Sequence, residues 1–321
     1  MSRSLSKFLK IALPLGLGIF LIWYSYSRFS PEQIEEIKIY FGKADYAIVA
    51  LSVFLSFLSH ISRAYRWNFM LEPMGYKTKL ANNFMAVYIA YLMNIFIPKS
   101  GEVSRAIVLD KYEKVPFEKG FGSIISERVV DLIFLFLFTI AALLIQFDVL
   151  FAYLKEVVEP TKMLFAMATL IALVVFFFLF MKHSKSNLRN KLKKFISGLK
   201  EGVFSILKMK KKFAFLLHTC IIWALYFLSF YTATHALSET EFISASTLII
   251  TFVVGSFAFA FTNSGFGSYP FFVAGILAVF GIAETAGTAF GWIVWTSSIA
   301  SIIFFGGLSF LLLPVYNRVK L

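Results

Sequence analysis

Apolar runs divide this chain from end to end. Segments long enough to cross a bilayer fall at 8–26, 45–66, 121–146, 162–181, 212–234 and 287–313, since about 20 apolar residues span the hydrocarbon core. Hydrophobic residues make up 59% of the 321 and charged residues 15%, with a mean hydropathy of +0.78. That balance leaves no room for a catalytic soluble domain of ordinary size. It predicts an all-α polytopic membrane protein.

Two further regions are apolar but broken. Residues 82–118 are interrupted at Pro98-Lys99-Ser100-Gly101, and residues 242–282 at Thr262-Asn263-Ser264-Gly265-Phe266-Gly267. The positive-inside bias of Lys and Arg decides whether each crosses or turns back. Residues 182–212 carry eleven Lys and Arg against Glu201 alone, so this loop is expected on the cytoplasmic side. The N-terminus, the connection holding Arg63, Arg66, Lys77 and Lys79, and the tail with Arg318 and Lys320 are expected there too. Segments 27–43, 147–161 and 235–241 are rich in acids and are expected outside. If 82–118 were a full span, the Lys-rich loop would face outward; if it is a hairpin, every loop agrees. The same argument makes 242–282 a hairpin entered from the other side.

The result is about six spanning helices plus two oppositely oriented re-entrant hairpins, arranged as an inverted repeat. Both hairpins turn at a Ser-Gly pair, Ser100-Gly101 and Ser264-Gly265. Transporters often carry such repeats, with broken helices meeting at mid-membrane. The chain divides into an N-terminal helix and outer loop (1–44), a first repeat (45–146), a linking span with the Lys-rich loop (147–211), a second repeat (212–313) and a cytoplasmic tail (314–321). The net charge of +13 is thus topological and carries no nucleic-acid signal. The exit of the first apolar run, Trp23-Tyr24-Ser25-Tyr26-Ser27-Arg28, lacks a small-residue cleavage pattern, which predicts an uncleaved first helix. The single cysteine, Cys220, rules out a disulfide framework and a Cys-based metal site.

Charge at membrane depth is expensive, so Glu102, Arg105, Glu127, Arg128 and Asp131 mark the candidate site. Arg63-x-x-Arg66-Trp67, Asn94-x-x-x-Pro98, Gly101-Glu102, Arg105 and Glu127-Arg128-x-x-Asp131, with a Gly-containing second break, together resemble the lysylphosphatidylglycerol synthase transmembrane-region family. The resemblance runs from about residue 45 to 313. In the bacterial multiple-peptide-resistance proteins a region of this kind is a lipid flippase joined to a soluble aminoacyl-lipid synthase domain. No synthase domain is present in these residues, so the resemblance implies the translocating unit. The second break departs from the acid-containing version associated with the family, because it holds no carboxylate.

A flippase must lower the cost of carrying a polar headgroup through hydrocarbon. Arg105 and Arg128 are the leading phosphate partners, since guanidinium binds such oxygens bidentately and stays charged. Ser100, Gly101, Asn263, Ser264 and Gly265 complete the substrate-binding set at the two breaks, where helices would begin inside the membrane. Glu102, Glu127 and Asp131 keep two readings open: a closed structural network with the arginines, or carboxylates that release an arginine to substrate or carry a coupled proton. Glu127 and Asp131 share a helix face, and Arg128 lies three residues from Asp131. His60, Arg63 and Trp67 share a face at the expected end of their span and read as an interfacial anchor, with Arg63 also an entry-site contact. His218 and His235 have no second ligand at metal spacing, and no cofactor is implied. The Lys-rich loop has apolar residues at near-helical spacing and is expected to lie on the anionic cytoplasmic leaflet.

The functional expectation is a flippase or scramblase in the cytoplasmic membrane, not an enzyme. Its substrate would be a phosphate-bearing or aminoacylated phospholipid, or a polyprenyl-linked lipid. The alternatives are a non-transporting partner of an envelope lipid-modifying enzyme and an integral-membrane headgroup transferase using Glu102, Glu127 or Asp131 as base.

Overall fold

The computed structural model describes residues 3–148 and 209–318, together with four isolated helical positions between 169 and 179. The linking span expected at 162–181, apart from those positions, and most of the Lys-rich segment lie outside the described residues. Among the described residues the chain is helical, without strands. Six helices precede the gap: α1 (Arg3–Ser27), α2 (Pro31–Lys43), α3 (Tyr46–Leu71), α4 (Leu80–Phe96), α5 (Gly101–Glu113) and α6 (Phe117–Ile145). Five follow it: α7 (Lys212–Thr234), α8 (Ser238–Glu241), α9 (Ala245–Phe261), α10 (Ser268–Val279) and α11 (Glu284–Asn317). Among the described residues, four stretches are long and apolar enough to cross a membrane: Tyr46–Met74, Phe117–Ile145, Lys212–Thr234 and Glu284–Asn317. The protein is an all-α polytopic membrane protein.

Residues 27–43, expected as an outer connection, hold a capped helix instead. The Ser30 hydroxyl accepts from the Gln33 N–H and the Gln33 side chain accepts from the Ser30 N–H, a capping box with Pro31 at the first turn. Ile37 and Tyr40 then face the core. The third helix is also longer than expected. It is capped by Asp45, whose carboxylate accepts from the Ala47 and Ile48 N–H groups, and runs past residue 66 to Leu71. It ends where Pro73 forbids continuation. Arg63, Arg66 and Trp67 therefore sit within the helix rather than at its end.

Both broken regions fold as antiparallel helical hairpins. In the first, the Asn94 carboxamide near the end of α4 accepts from the Gly101 N–H that opens α5 (2.7 Å), and Asn82 near the start of α4 bonds Glu113 at the end of α5. In the second, Tyr269 of α10 packs on Gly255 and Phe259 of α9. Thr262 and Ser268 share a hydroxyl hydrogen bond of 2.7 Å across the turn.

Two long helices carry both hairpins. The 34 residues of α11 extend about 51 Å at 1.5 Å per residue. Its N-terminal half packs on the second hairpin: Gly287 on Ala274, Gly291 on Pro270, and the Trp295 indole N–H donating to the Ser264 carbonyl at 2.8 Å. Its C-terminal half packs on the first: Gly306 on Tyr88 and Leu92, and Asn317 on Asn82. The α6 helix does the reverse. Gly120 lies on Ala106 and Leu109 of α5, while Ala142 packs with Ile250 and Val253 of α9. The hairpins thus enter from opposite ends of α6 and α11, and their tips meet. There the Asn263 carboxamide donates to the Ile95 carbonyl at 2.9 Å. On the central seam α3 runs antiparallel to α7, with Ser52 and Ser229 each donating to the other's backbone carbonyl at 2.7 Å. These exchanged contacts are those of an inverted repeat.

The base of the first hairpin is latched to the last helix. Asn82 and Asn317 exchange carboxamide hydrogen bonds of 3.0 and 2.9 Å, and Glu113 accepts from both Asn82 and the Lys79 N–H. Asn82 is fully buried. Replacing it with leucine leaves Glu113 and Asn317 short of partners and is expected to cost roughly 1–3 kcal/mol, read as a lowered melting temperature in detergent. A melting curve identical to wild type would show that the latch contributes nothing.

Candidate functional site

The carboxylates of Glu127 and Asp131 stand one turn apart on α6 and accept from guanidiniums on two other helices. Arg63 of α3 places one Nη1 at 2.6 Å from both Glu127 Oε1 and Asp131 Oδ2. Arg66, one turn further along α3, sets Nη2 at 3.0 Å from Asp131 Oδ1 and 3.1 Å from Glu127 Oε1, and donates through Nη1 to the Thr219 hydroxyl of α7 at 2.8 Å. From α5, Arg105 grips Glu127 with both terminal nitrogens, at 3.2 and 3.0 Å. Its guanidinium carbon lies 3.6 Å from the centre of the Trp67 ring, a close cation–π stack. Trp67 is held in turn by its indole N–H donating to the Ser123 hydroxyl at 2.8 Å. All five charged groups are buried. This is the condition under which an ion pair persists in a low-dielectric interior: each charge meets an opposite one with good hydrogen-bond geometry.

Arg128 and Glu102 form the outer edge of the cluster. Arg128 Nε is 3.2 Å from Glu102 Oε1, and its Nη1 is 3.7 Å from Asp131 Oδ2. Their side chains are 34% and 21% exposed, against 11% or less for every other member. The intrahelical pair of Arg128 with Asp131 is thus the longest contact in the network, and Asp131 is held mainly by α3. Four arginines against three carboxylates leave one unit of positive charge. The surplus lies among helices apolar enough to cross a membrane, where charge is costly.

Beyond the charges lies a polar aromatic layer. The His60 ring packs against Tyr88, Tyr91 and Tyr226 at centroid distances of 5.2, 4.8 and 5.9 Å. The Tyr226 hydroxyl is 3.5 Å from Arg63 Nη2, from the Tyr91 hydroxyl and from His60 Nδ1.

The structure brings together Arg63, Glu102, Arg105, Glu127, Arg128 and Asp131 from helices α3, α5 and α6. Ser100 and Gly101 lie at the first tip, where the Ser100 hydroxyl donates to the Met93 and Ile97 carbonyls. Asn263, Ser264 and Gly265 form the second tip. They touch the first through Ile95 and take no part in the ion pairs described above. The anchor reading of His60, Arg63 and Trp67 is corrected: all three are buried, because α3 continues past them and turns this face into the protein. His218 is an inter-helix contact, its Nδ1 2.9 Å from the Ser62 hydroxyl and its ring between Tyr65 and Phe69. Arg66, Thr219 and Tyr226 were not among the sequence-based site residues. Arg66 carried a usable signal, since it follows Arg63 by three residues and shares its helix face. Thr219 and Tyr226 carried none, because only tertiary packing brings α7 to α3.

The lysylphosphatidylglycerol synthase transmembrane-region model matches residues 11–314. A UPF0104 membrane protein of Methanocaldococcus jannaschii is 27% identical over 130 residues, 40% of this chain and 39% of that protein. The glycosyltransferase AglD of Haloferax volcanii is 32% identical over 100 residues, 31% of this chain and 16% of that protein. The chain therefore spans well under half the length of these curated relatives. No solved structure matches it. With the family match running over nearly its whole length, the chain belongs to the lysylphosphatidylglycerol synthase transmembrane-region family.

Proposed function

We propose that this protein is a flippase- or scramblase-type translocator for a lipid with an anionic, phosphate-bearing headgroup, and that Arg128 is its headgroup contact. One observation carries the reading: the cluster holds one guanidinium more than it has carboxylates, and the least satisfied one is 34% exposed beside the first tip. Lys99, exposed on that tip, adds a second cation. The other three arginines act as scaffold. Arg105 in particular is spent on Glu127 and Trp67, so the phosphate role expected of both Arg105 and Arg128 falls to Arg128.

The geometry favours transport over headgroup chemistry. A general base needs a carboxylate free to take a proton; Glu127 faces three guanidiniums and Asp131 faces two at hydrogen-bond distance, which leaves Glu102 alone of the three candidates for that role. Family context fits a unit that handles the lipid while an enzyme acts on it. The family is named for a synthase of lysylphosphatidylglycerol, which bears a phosphate, and one relative is named a glycosyltransferase. A non-transporting partner of such an enzyme is the competing reading, and it predicts no lipid movement by the protein alone. The distribution of Lys and Arg along the sequence supports a location in the cytoplasmic membrane with both termini on the cytoplasmic side, and the Lys excess of 182–212 supports an association of that segment with the anionic leaflet.

The test is lipid translocation in proteoliposomes with fluorescent phosphatidylglycerol, and fluorescent phosphatidylcholine as the zwitterionic control. Arg128→Ala is expected to slow phosphatidylglycerol movement roughly ten- to hundredfold, the value of a charge-assisted hydrogen bond to phosphate. The melting temperature should fall little, because the pair it breaks is poorly aligned and partly exposed. Wild-type protein that moves neither lipid, or a variant as fast as wild type, would overturn the proposal.

A further inference from the structure

We infer that Glu102 is a built-in stand-in for the ligand's anion: it occupies Arg128 when no headgroup is bound and is displaced when one arrives. This rests on the translocator reading above and deepens it.

The seven charged groups fall into two classes. Glu127 and Asp131 each meet at least two guanidiniums at 2.6–3.2 Å, deep in the protein. Removing one partner there leaves an uncompensated buried charge. Among the described residues Glu102 meets one guanidinium only, and meets it poorly. Its Oε1 lies 3.2 Å from Arg128 Nε, yet that Nε and Glu102 Oε2 have no hydrogen-bond partner among the described residues. A pair that is partly exposed and badly aligned contributes little and separates cheaply. Asp131, at 3.7 Å, cannot take Glu102's place without leaving Arg63 and Arg66. If Glu102 swings away, Arg128 keeps only its long 3.7 Å contact with Asp131. A phosphate oxygen suits it better than Glu102 does, because it can approach the terminal nitrogens in line.

Such a stand-in has a functional consequence. A transport site must bind tightly enough to load and weakly enough to release. A carboxylate that competes for Arg128 lowers headgroup affinity and gives the guanidinium a partner again after release. Removing the competitor is therefore predicted to tighten binding, the opposite of what a ligand-contacting residue would show.

The experiment titrates dihexanoyl phosphatidic acid into the full-length protein in detergent, with dihexanoyl phosphatidylcholine and inorganic phosphate in parallel. Glu102→Gln and Glu102→Ala are both expected to bind phosphatidic acid about fivefold tighter than wild type, as about 1 kcal/mol of released competition implies. The gain should vanish when Arg128→Ala is added, and phosphatidylcholine should not respond. Equal affinity in wild type and both variants, with Arg128 still required, would overturn the stand-in and leave the translocator reading in place. Weaker binding in both variants would also overturn it, by showing that Glu102 touches the ligand. Absence of phosphatidic acid binding in all folded forms would overturn the translocator reading itself. Inorganic phosphate binding as tightly as the lipid would show that the site takes a free anion.

Discussion

Glu127→Ala is expected to destabilise the protein by about 3–5 kcal/mol, the usual cost of removing one partner from a buried ion cluster. That is enough to collapse the yield of monodisperse protein. The cause lies in the charges left behind. Arg63, Arg66 and Arg105 all lean on this one carboxylate, at 2.6, 3.1 and 3.0 Å. Without it Asp131 alone faces them from α6. The side chain is fully buried, so water cannot replace the lost oxygens. Glu127→Gln keeps the volume but not the charge, and it should fail nearly as badly. Removing a charge of each sign separates charge balance from volume: Glu127→Met with Arg105→Met should recover part of the loss, since buried pairs replaced by apolar residues of similar size are often tolerated. Thermal melting and size-exclusion profiles in detergent measure all three variants. A Glu127→Ala protein that melts like wild type yet moves no lipid would make Glu127 a ligand contact and dissolve the division between scaffold and headgroup site.

Gly101→Ala is the second large effect, and it is steric. A methyl group built at Gly101 would lie 2.3 Å from the Ala90 carbonyl oxygen and 2.6 Å from the Asn94 side-chain nitrogen. The first of these is helix backbone and cannot move aside, so the start of α5 must shift away from α4. That shift stretches the 2.7 Å cap from the Gly101 N–H to Asn94 and carries Glu102 away from Arg128. Overpacking of this kind costs about 1–3 kcal/mol. Because the first hairpin's tip also meets Asn263, translocation should fall together with the melting temperature. Gly122→Ala is the matched control. It lies inside α6 with open space around it, so alanine there should be neutral or stabilise the helix by up to about 1 kcal/mol. Equal tolerance at both positions would show that the close approach of α5 to α4 does not matter.

Much of this architecture is legible in the sequence because hydropathy acts at short range. A run of apolar residues declares a membrane helix without reference to its neighbours, and Pro98 with Gly101 declares a break. Charge parity then gave the two hairpins opposite directions, and α4–α5 and α9–α10 lie on α6 and α11 accordingly. The site was legible in part for the same reason: Glu127, Arg128 and Asp131 stand out as charges in an apolar run, whatever they touch. Their partners do not. Nothing local distinguishes Arg105, buried against Glu127 and Trp67, from Arg128, partly exposed beside Glu102. Both are arginines near a break, and only packing divides scaffold from candidate contact. The end of α3 was misread for a related reason. His60, Arg63 and Trp67 suit a membrane interface by residue type, and buried acids on another helix are what allow them to sit inside.

The sequence by itself determined that this is a helical membrane protein with two interrupted hairpins and a few costly charges, because solvation by lipid is decided residue by residue. Only the tertiary structure decided that the hairpin tips meet, that three arginines converge on Glu127, and that Arg128 is left with a poor partner. Those outcomes depend on contacts between residues far apart in the chain, and in a low-dielectric interior the energy of a charge is set by what lies within a few ångströms of it.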